Sequence, residues 1–270
     1  MEIKFGKKFI GDIHPTFIVA EMSANHDGDK RKAIEMIHVA KDMGADAIKL
    51  QTYSADSMTL DVDNKDFNLL PESPWAIHKN LWNLYTKGST PYDWHEDLFK
   101  EARNIDLEIF STPFDEYGVD FLMDLGVSAF KIASPEINHI PLIKKICETG
   151  KPIILSSGVA DLKDITLAID TIRNNQANAD IILMQCNSSY PSPYEDLNLL
   201  TIKDYKNKFN VLTGFSDHSE GIHCAIASVC LGADIIEKHF SIEGQDTIDS
   251  FFSIYPDQFN QMVSDIRDIE

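Results

Sequence analysis

VLTGFSDHSEGIHCAIASVCLGADIIEKHF, residues 211–240, contains two continuous apolar runs with a helical segment between them. VLTGFSDH (211–218) and IIEKHF (235–240) have the character of strands buried on both faces, which is how parallel strands read. EGIHCAIASVCLG (220–232) has apolar residues at helical spacing and ends in Gly232, as a left-handed helix cap requires. The first run ends in His218 and the second carries His239 just before its last residue.

The same unit recurs upstream. FIVAE (17–21), AIKLQT (47–52), EIFSTP (108–113), AFKIAS (129–134), PIILSSG (152–158) and IILMQC (181–186) are further strands. Helical patterns fall at 29–44, 115–126, 140–150 and 162–175, and PDQFNQMVSDIRDI (256–269) supplies the last helix. Gly44, Gly126, Gly150 and Gly232 each stand just before the next strand. Alternation through eight units predicts an α/β protein, a (β/α)8 TIM barrel forming a single catalytic domain over residues 1–270. A six-stranded doubly wound sheet is the alternative, but eight evenly spaced units favour the barrel. No G-x-G-x-x-G follows the first strand, so a dinucleotide site lacks support.

Residues 53–92 break the rhythm as a long insertion after the second strand, with a short helix expected at 77–87. Its Phe67, Trp75, Trp82, Tyr85 and Tyr92 argue against disorder. Packing on the barrel and covering a substrate are both open readings for it.

Bulk properties set outer limits. A net charge of −19 disfavours nucleic acid, whose phosphates need basic patches. No apolar run is long enough to span a bilayer, so no membrane partner is expected, and MEIKFGKKFIGD at the N-terminus lacks the apolar stretch expected of a signal peptide. Cys147, Cys186, Cys224 and Cys230 form no C-x-x-C pair and read as reduced thiols, so a soluble cytoplasmic enzyme is expected.

Barrels of this kind keep their chemistry at the C-terminal ends of the strands. Those ends and the turns after them offer Glu21, Lys49, Gln51, Thr112, Lys131, Ser134, Glu136, Ser156, His218, Lys238 and His239. A lysine inside a strand is costly unless it is paired or meets an anion. Lys49 and Lys131 therefore suit phosphate or carboxylate, and Schiff-base chemistry would instead need a depressed pKa. Glu21 can simply hold a lysine across the barrel mouth. His218 and His239 end consecutive strands and can converge on a transition-metal ion with positions left open for water and substrate. His14, His38, His78, His95, His139 and His223 read as surface or packing residues, and His26 stays undecided.

AEMSANHDG (20–28), KLQT (49–52), FSTPF (110–114), FKIASPEINHIPLI (130–143), KPIILSSG (151–158), YPSPYED (190–196), FSDHSEG (215–221) and EKHF (237–240), in that order and spacing, resemble the N-acetylneuraminate (sialic acid) synthase family. These are phosphoenolpyruvate-dependent nonulosonate synthases. TPYDWHEDLF (90–99), the tryptophan-rich insertion and DSFFSIYPDQF (249–259) look most like the pseudaminic acid synthases among them. The resemblance implies that phosphoenolpyruvate and a six-carbon acetamido sugar condense to a nine-carbon 2-keto sugar acid plus phosphate. It implies a divalent metal, Mn2+ first with Mg2+ or Co2+ as alternatives, held by His218 and His239. Catalytic roles would fall to Glu21, Glu136 and Lys131. Lys49, Thr112, Lys131, Ser134, Ser156 and Ser216 would hold phosphoenolpyruvate, while Gln51, Ser188, Tyr190 and Asp249 would face the sugar.

Two departures accompany the likeness. Ser188 stands where sialic acid synthases place an asparagine, and TIDS (247–250) replaces their GPDH-type sequence. The family pattern also implies a homodimer and a C-terminal antifreeze-like domain that lends an arginine to the partner's sugar site. This sequence stops at Glu270, and Arg31, Arg103, Arg173 and Arg267 all fall in helical segments. The alternatives are an N-acetylneuraminate or legionaminate synthase, a lysine-dependent aldolase using Lys131 or Lys49, and a non-catalytic shortened barrel.

Overall fold

The computed structural model describes residues 1–242 and 246–270. An antiparallel hairpin comes first, β1 (Glu2–Phe5) paired with β2 (Lys8–Gly11). Eight parallel strands then close into one barrel, as the alternation predicts. They are β3 (Phe17–Glu21), β4 (Ala47–Thr52), β5 (Glu108–Pro113), β6 (Phe130–Ile132), β7 (Ile153–Ser156), β8 (Ile181–Cys186), β9 (Leu212–Asp217) and β10 (Ile235–His239). Each pairs with its sequence neighbour, and β10 closes the ring on β3 with His239 opposite Glu21.

The outer layer holds α1 (Lys30–Asp42), α4 (His95–Asn104), α5 (Glu116–Asp124), α6 (Ile140–Cys147), α7 (Leu162–Asn175), α8 (Thr201–Phe209), α9 (His223–Cys230) and α10 (Pro256–Ile269). Within the insertion lie α2 (Ala55–Met58) and α3 (Leu81–Gly88). The helix expected at 77–87 is thus a single tight turn at 76–78 followed by α3. Lys79 breaks them at φ +70°, and Asn80 then caps α3 by accepting from Asn83 N. Gly44, Gly126, Gly150 and Gly232 all have positive φ, from 68° to 95°.

Among the elements not anticipated are the hairpin, α2, α4 and α8. α4 and α8 bury only a few positions each, His95, Leu98, Phe99 and Ala102 in one and Ile202, Tyr205 and Phe209 in the other, among many charged residues. The hairpin buries Ile3, Phe5 and Ile10 and exposes Lys4, Lys7 and Phe9. Phe5 packs 4.9 Å from Phe17 and 5.1 Å from Phe110, ring to ring. Burying such a ring contributes about 1.5–3 kcal/mol. The hairpin therefore caps the N-terminal end of the barrel, leaving the opposite end for a site.

Candidate active site

Side chains alternate across a strand, so parity decides what enters the barrel. On β10, Glu237 and His239 line an interior cavity of about 80 Å3. Lys238 between them faces outward, 2.9 Å from Asp217 Oδ2 and donating to the Ser219 carbonyl at 2.6 Å. Its place among the strand-end candidates is therefore corrected: Lys238 belongs to a buried ion pair in the framework.

The small cavity gathers Lys49, Thr112, Lys131, Ser134, Ser156 and Ser216, together with His218 and His239. Toward the loops lies a larger cavity of about 540 Å3, which Ser188 and Asp249 line. Gln51, Tyr190 and His239 border both, so the two compartments meet at those residues. Glu21 and Glu136 line neither. A Cβ on Gly158 would stand 2.5 Å from Ser188 Oγ and 2.8 Å from Ser134 Oγ, so the seam between compartments has no room for a side chain there.

Glu237 is the hub of the small cavity, and the sequence reading passed over it. Its carboxylate accepts from Lys131 Nζ at 3.1 and 3.2 Å and from Ser216 Oγ at 3.0 Å, and it lies 3.5 Å from Lys49 Nζ. Lys49 Nζ also lies 2.8 Å from Glu21 Oε2, off the line of a hydrogen bond. Gln51 Nε2 donates to Glu21 Oε1 at 2.9 Å. Burial favours the neutral form of each group, and opposite charges resist it. Against that burial the two lysines hold Glu237 down to about 2. Burial is likewise outweighed at Lys49, which Glu21 and Glu237 raise. Lys131 is lowered by burial despite Glu237. Glu21 is raised by burial despite Lys49. Ser156 Oγ is buried on the same wall with no hydrogen-bond partner.

The His218 and His239 rings lie 5.2 Å apart, centroid to centroid. His218 Nδ1 sits 2.7 Å from the Asn187 carbonyl, and His239 Nδ1 sits 3.2 Å from Ser23 Oγ. Each ring thus spends Nδ1 on the protein and keeps Nε2. Burial pulls His239 well below the usual range. Burial acts the same way on His218, but Cys186, the Asn187 carbonyl and Glu237 together raise it. Among the described residues no group of three or more His, Cys, Asp or Glu closes a metal cluster, so two imidazoles are what those residues offer.

Glu136 lies in the turn Ser134–Asn138, with a buried Oε2 that has no partner. Burial raises its carboxyl to about 7. Tyr85 of the larger cavity is raised by burial first and by Glu136 second, which places the two near each other. Asp249 is raised by burial and accepts from Ala24 N at 3.2 Å.

The insertion supplies much of the larger cavity's wall, including Leu69, Trp75, Leu81, Leu84 and Tyr85. Trp75 packs against Tyr190 and Phe251, whereas Trp82 lines neither cavity. Of the remaining histidines, His26 and His95 are buried, and burial lowers each to about 4. His26 Nδ1 accepts from Gly28 N, and His95 bonds Thr52 Oγ1 at 2.8 Å, both as packing residues.

A model of the NeuB family matches residues 36–270. The pseudaminic acid synthase of Helicobacter pylori is 44% identical over 256 residues, covering 94% of this chain and 74% of that protein. The N,N'-diacetyllegionaminic acid synthase of Legionella pneumophila is 34% identical over 272 residues, covering 98% and 75%. The crystal structure of N-acetylneuraminic acid (sialic acid) synthetase from Leptospira borgpetersenii serovar Hardjo-bovis, in complex with citrate, superposes with a TM-score of 0.89 at 32% identity, covering 100% of this chain and 88% of that one.

Proposed function

We propose, because the chain belongs to the NeuB family, that it is a transferase joining phosphoenolpyruvate to a six-carbon acetamido sugar. The product is a nine-carbon 2-keto sugar acid of pseudaminic acid type, with phosphate released. The observation that carries this reading is the pair of compartments meeting at Gln51, Tyr190 and His239. One is small and holds two lysines among hydroxyls, and the other is larger and walled by apolar side chains. Such a pair suits a compact anion beside a sugar with acyl substituents.

In the small compartment Lys49, Lys131, Thr112, Ser134, Ser156 and Ser216 hold the phosphate and carboxylate of phosphoenolpyruvate. Ser156 Oγ, without a protein partner, is free to donate to one of those oxygens. In the larger compartment Gln51, Ser188, Tyr190 and Asp249 orient the open-chain sugar so that its aldehyde reaches the seam. C3 of phosphoenolpyruvate attacks the aldehyde carbon, and the aldehyde oxygen takes a proton from solvent water to become a hydroxyl. Water adds at C2 and passes its proton by way of a second water to Glu136, which lies just behind the cavity-lining Ser134 and Pro135. The C2–O bond to phosphate then breaks as the new C2 hydroxyl gives its proton to the departing phosphate and becomes the 2-keto group. Holding the two carbons in register supplies much of the rate.

The two free Nε2 atoms of His218 and His239 fit a divalent transition ion, manganese first, with its other positions left to water and substrate. Bound there, such an ion supplies Lewis acidity at the aldehyde oxygen and orients water. Glu21 braces Lys49. The reading carries with it a cytoplasmic homodimer. The four free cysteines suit a reducing compartment, and sedimentation tests the dimer.

The test is a panel of mono- and diacetamido hexoses with phosphoenolpyruvate and Mn2+, read by mass spectrometry. The expected result is a product of sugar plus pyruvate, with phosphate release that requires the sugar. Phosphate released at the same rate without sugar, and no condensed product from any sugar, would overturn the reading.

A further inference from the structure

Both lysines of the small cavity are already engaged inside the protein. Glu237 lies between them, and Lys49 carries Glu21 as well. By formal charge the two ammonium groups cancel the two carboxylates. Asp249 adds a further carboxylate to the adjoining cavity. Lys238 points out of the barrel toward Asp217. Among the described residues no other lysine or arginine lines either cavity. A phosphate monoester carries about −2 at neutral pH, and a carboxylate on the same molecule adds another charge. Such an anion gains little from a buried site that is already balanced. It gains much more once additional positive charge arrives nearby.

We propose that Glu237 couples anion binding to divalent-cation binding. By sharing the charge of Lys49 and Lys131, it leaves the small cavity a weak anion site alone and a strong one when a cation sits at His218 and His239. This rests on the function proposed above for where anion and cation lie, and it assigns a residue that the reaction does not otherwise use. Glu237 is a positioning residue: it fixes both ammonium groups while withholding their charge. Linkage makes the effect reciprocal, so the anion tightens the cation by the same factor. A purely structural carboxylate would behave differently. Neutralising it would loosen the lysines and weaken anion binding, whereas charge sharing requires anion binding to strengthen.

The probe is inorganic phosphate, titrated calorimetrically into metal-free protein and into protein saturated with Mn2+. In the wild type the phosphate Kd should fall at least ten-fold with Mn2+. In Glu237→Gln the metal-free protein should bind phosphate at least ten-fold tighter than metal-free wild type, and the Mn2+ effect should shrink below three-fold. Equal wild-type affinities with and without Mn2+ would overturn the proposal. So would a folded Glu237→Gln protein that binds phosphate more weakly in both states. Should that variant fail to fold, His218→Ala decides: the Mn2+ effect must disappear there, and its persistence sinks the coupling. The condensation assay separates the two ideas. Product formed without coupling removes only this inference, and coupling without product removes only the proposed reaction.

Discussion

Trp75 Nε1 donates to the Ile248 carbonyl at 3.0 Å, tying the insertion to the segment that carries Asp249. The same ring packs 5.4 Å from Phe251 and 6.0 Å from Tyr190. Two stretches far apart in sequence are therefore joined over the larger cavity.

Removing that donor while keeping an aromatic ring should affect the sugar and spare the anion. Trp75→Phe should raise the sugar KM several-fold and leave the phosphoenolpyruvate KM within two-fold. Trp82→Phe should change neither. Steady-state kinetics with each substrate varied checks this, and equal effects on both substrates would contradict the assigned roles.

His218→Ala and His239→Ala should each fold, with a melting curve close to wild type, yet lose condensation. The direct readout is Mn2+ affinity by electron paramagnetic resonance titration. A double variant that still binds one Mn2+ as tightly as wild type would remove both residues from the metal assignment.

Lys49→Met and Lys131→Met each delete an ammonium while keeping most of its bulk. Loss of one partner from a buried charged contact costs on the order of 2–5 kcal/mol. Phosphoenolpyruvate affinity in the Mn2+-loaded protein should fall accordingly. Ser156→Ala should cost less, about 0.5–1.5 kcal/mol for a single hydrogen bond. Affinity unchanged in both lysine variants would place the anion elsewhere.

Glu136 gives the pH dependence. Its carboxyl stands at about 7 in the folded protein, above the ordinary carboxylate value. Between those values the folded state binds more protons than the unfolded chain, so this group's contribution to stability declines as pH rises toward 7. Glu136→Gln should accordingly melt higher than wild type at pH 8, and the difference should shrink at pH 5. Accepting the water proton requires the ionised form, so kcat should rise with pH through about 7 in the wild type. That limb should vanish in Glu136→Gln. A wild-type kcat flat from pH 5.5 to 8.5 would contradict the role.

The barrel was legible because buried parallel strands are continuous apolar runs and because glycines end four of the helices before them. The hairpin was not, although Glu2-Ile3-Lys4-Phe5 alternates as a half-buried strand does. Four residues beside two glycines and two lysines are too short a pattern to stand out. Glu237 is hidden for a different reason: in IIEKHF two charged residues stand side by side, and composition alone does not say which of them faces inward. Strand parity could have found it. If His239 faces inward, Glu237 must face inward with it and Lys238 must face out. The same rule pairs Lys49 with Gln51 and Ser216 with His218. The ion pairs linking Lys49, Lys131, Glu21 and Glu237 join four different strands. Their geometry depends on barrel closure, which no local pattern contains.

The central claim is that the small cavity takes phosphoenolpyruvate as an enol-ether nucleophile and releases phosphate from carbon. Phosphoenolpyruvate labelled with 18O in the bridging C2–O–P position tests it most directly. Incubated with the accepted sugar and Mn2+, the labelled substrate should deliver its 18O to inorganic phosphate, and the 2-keto group of the nine-carbon acid should derive from water. Label retained in the keto acid, or a product formed equally well from pyruvate and trapped on Lys131 or Lys49 by borohydride, would mean P–O cleavage followed by aldol chemistry and would contradict the account.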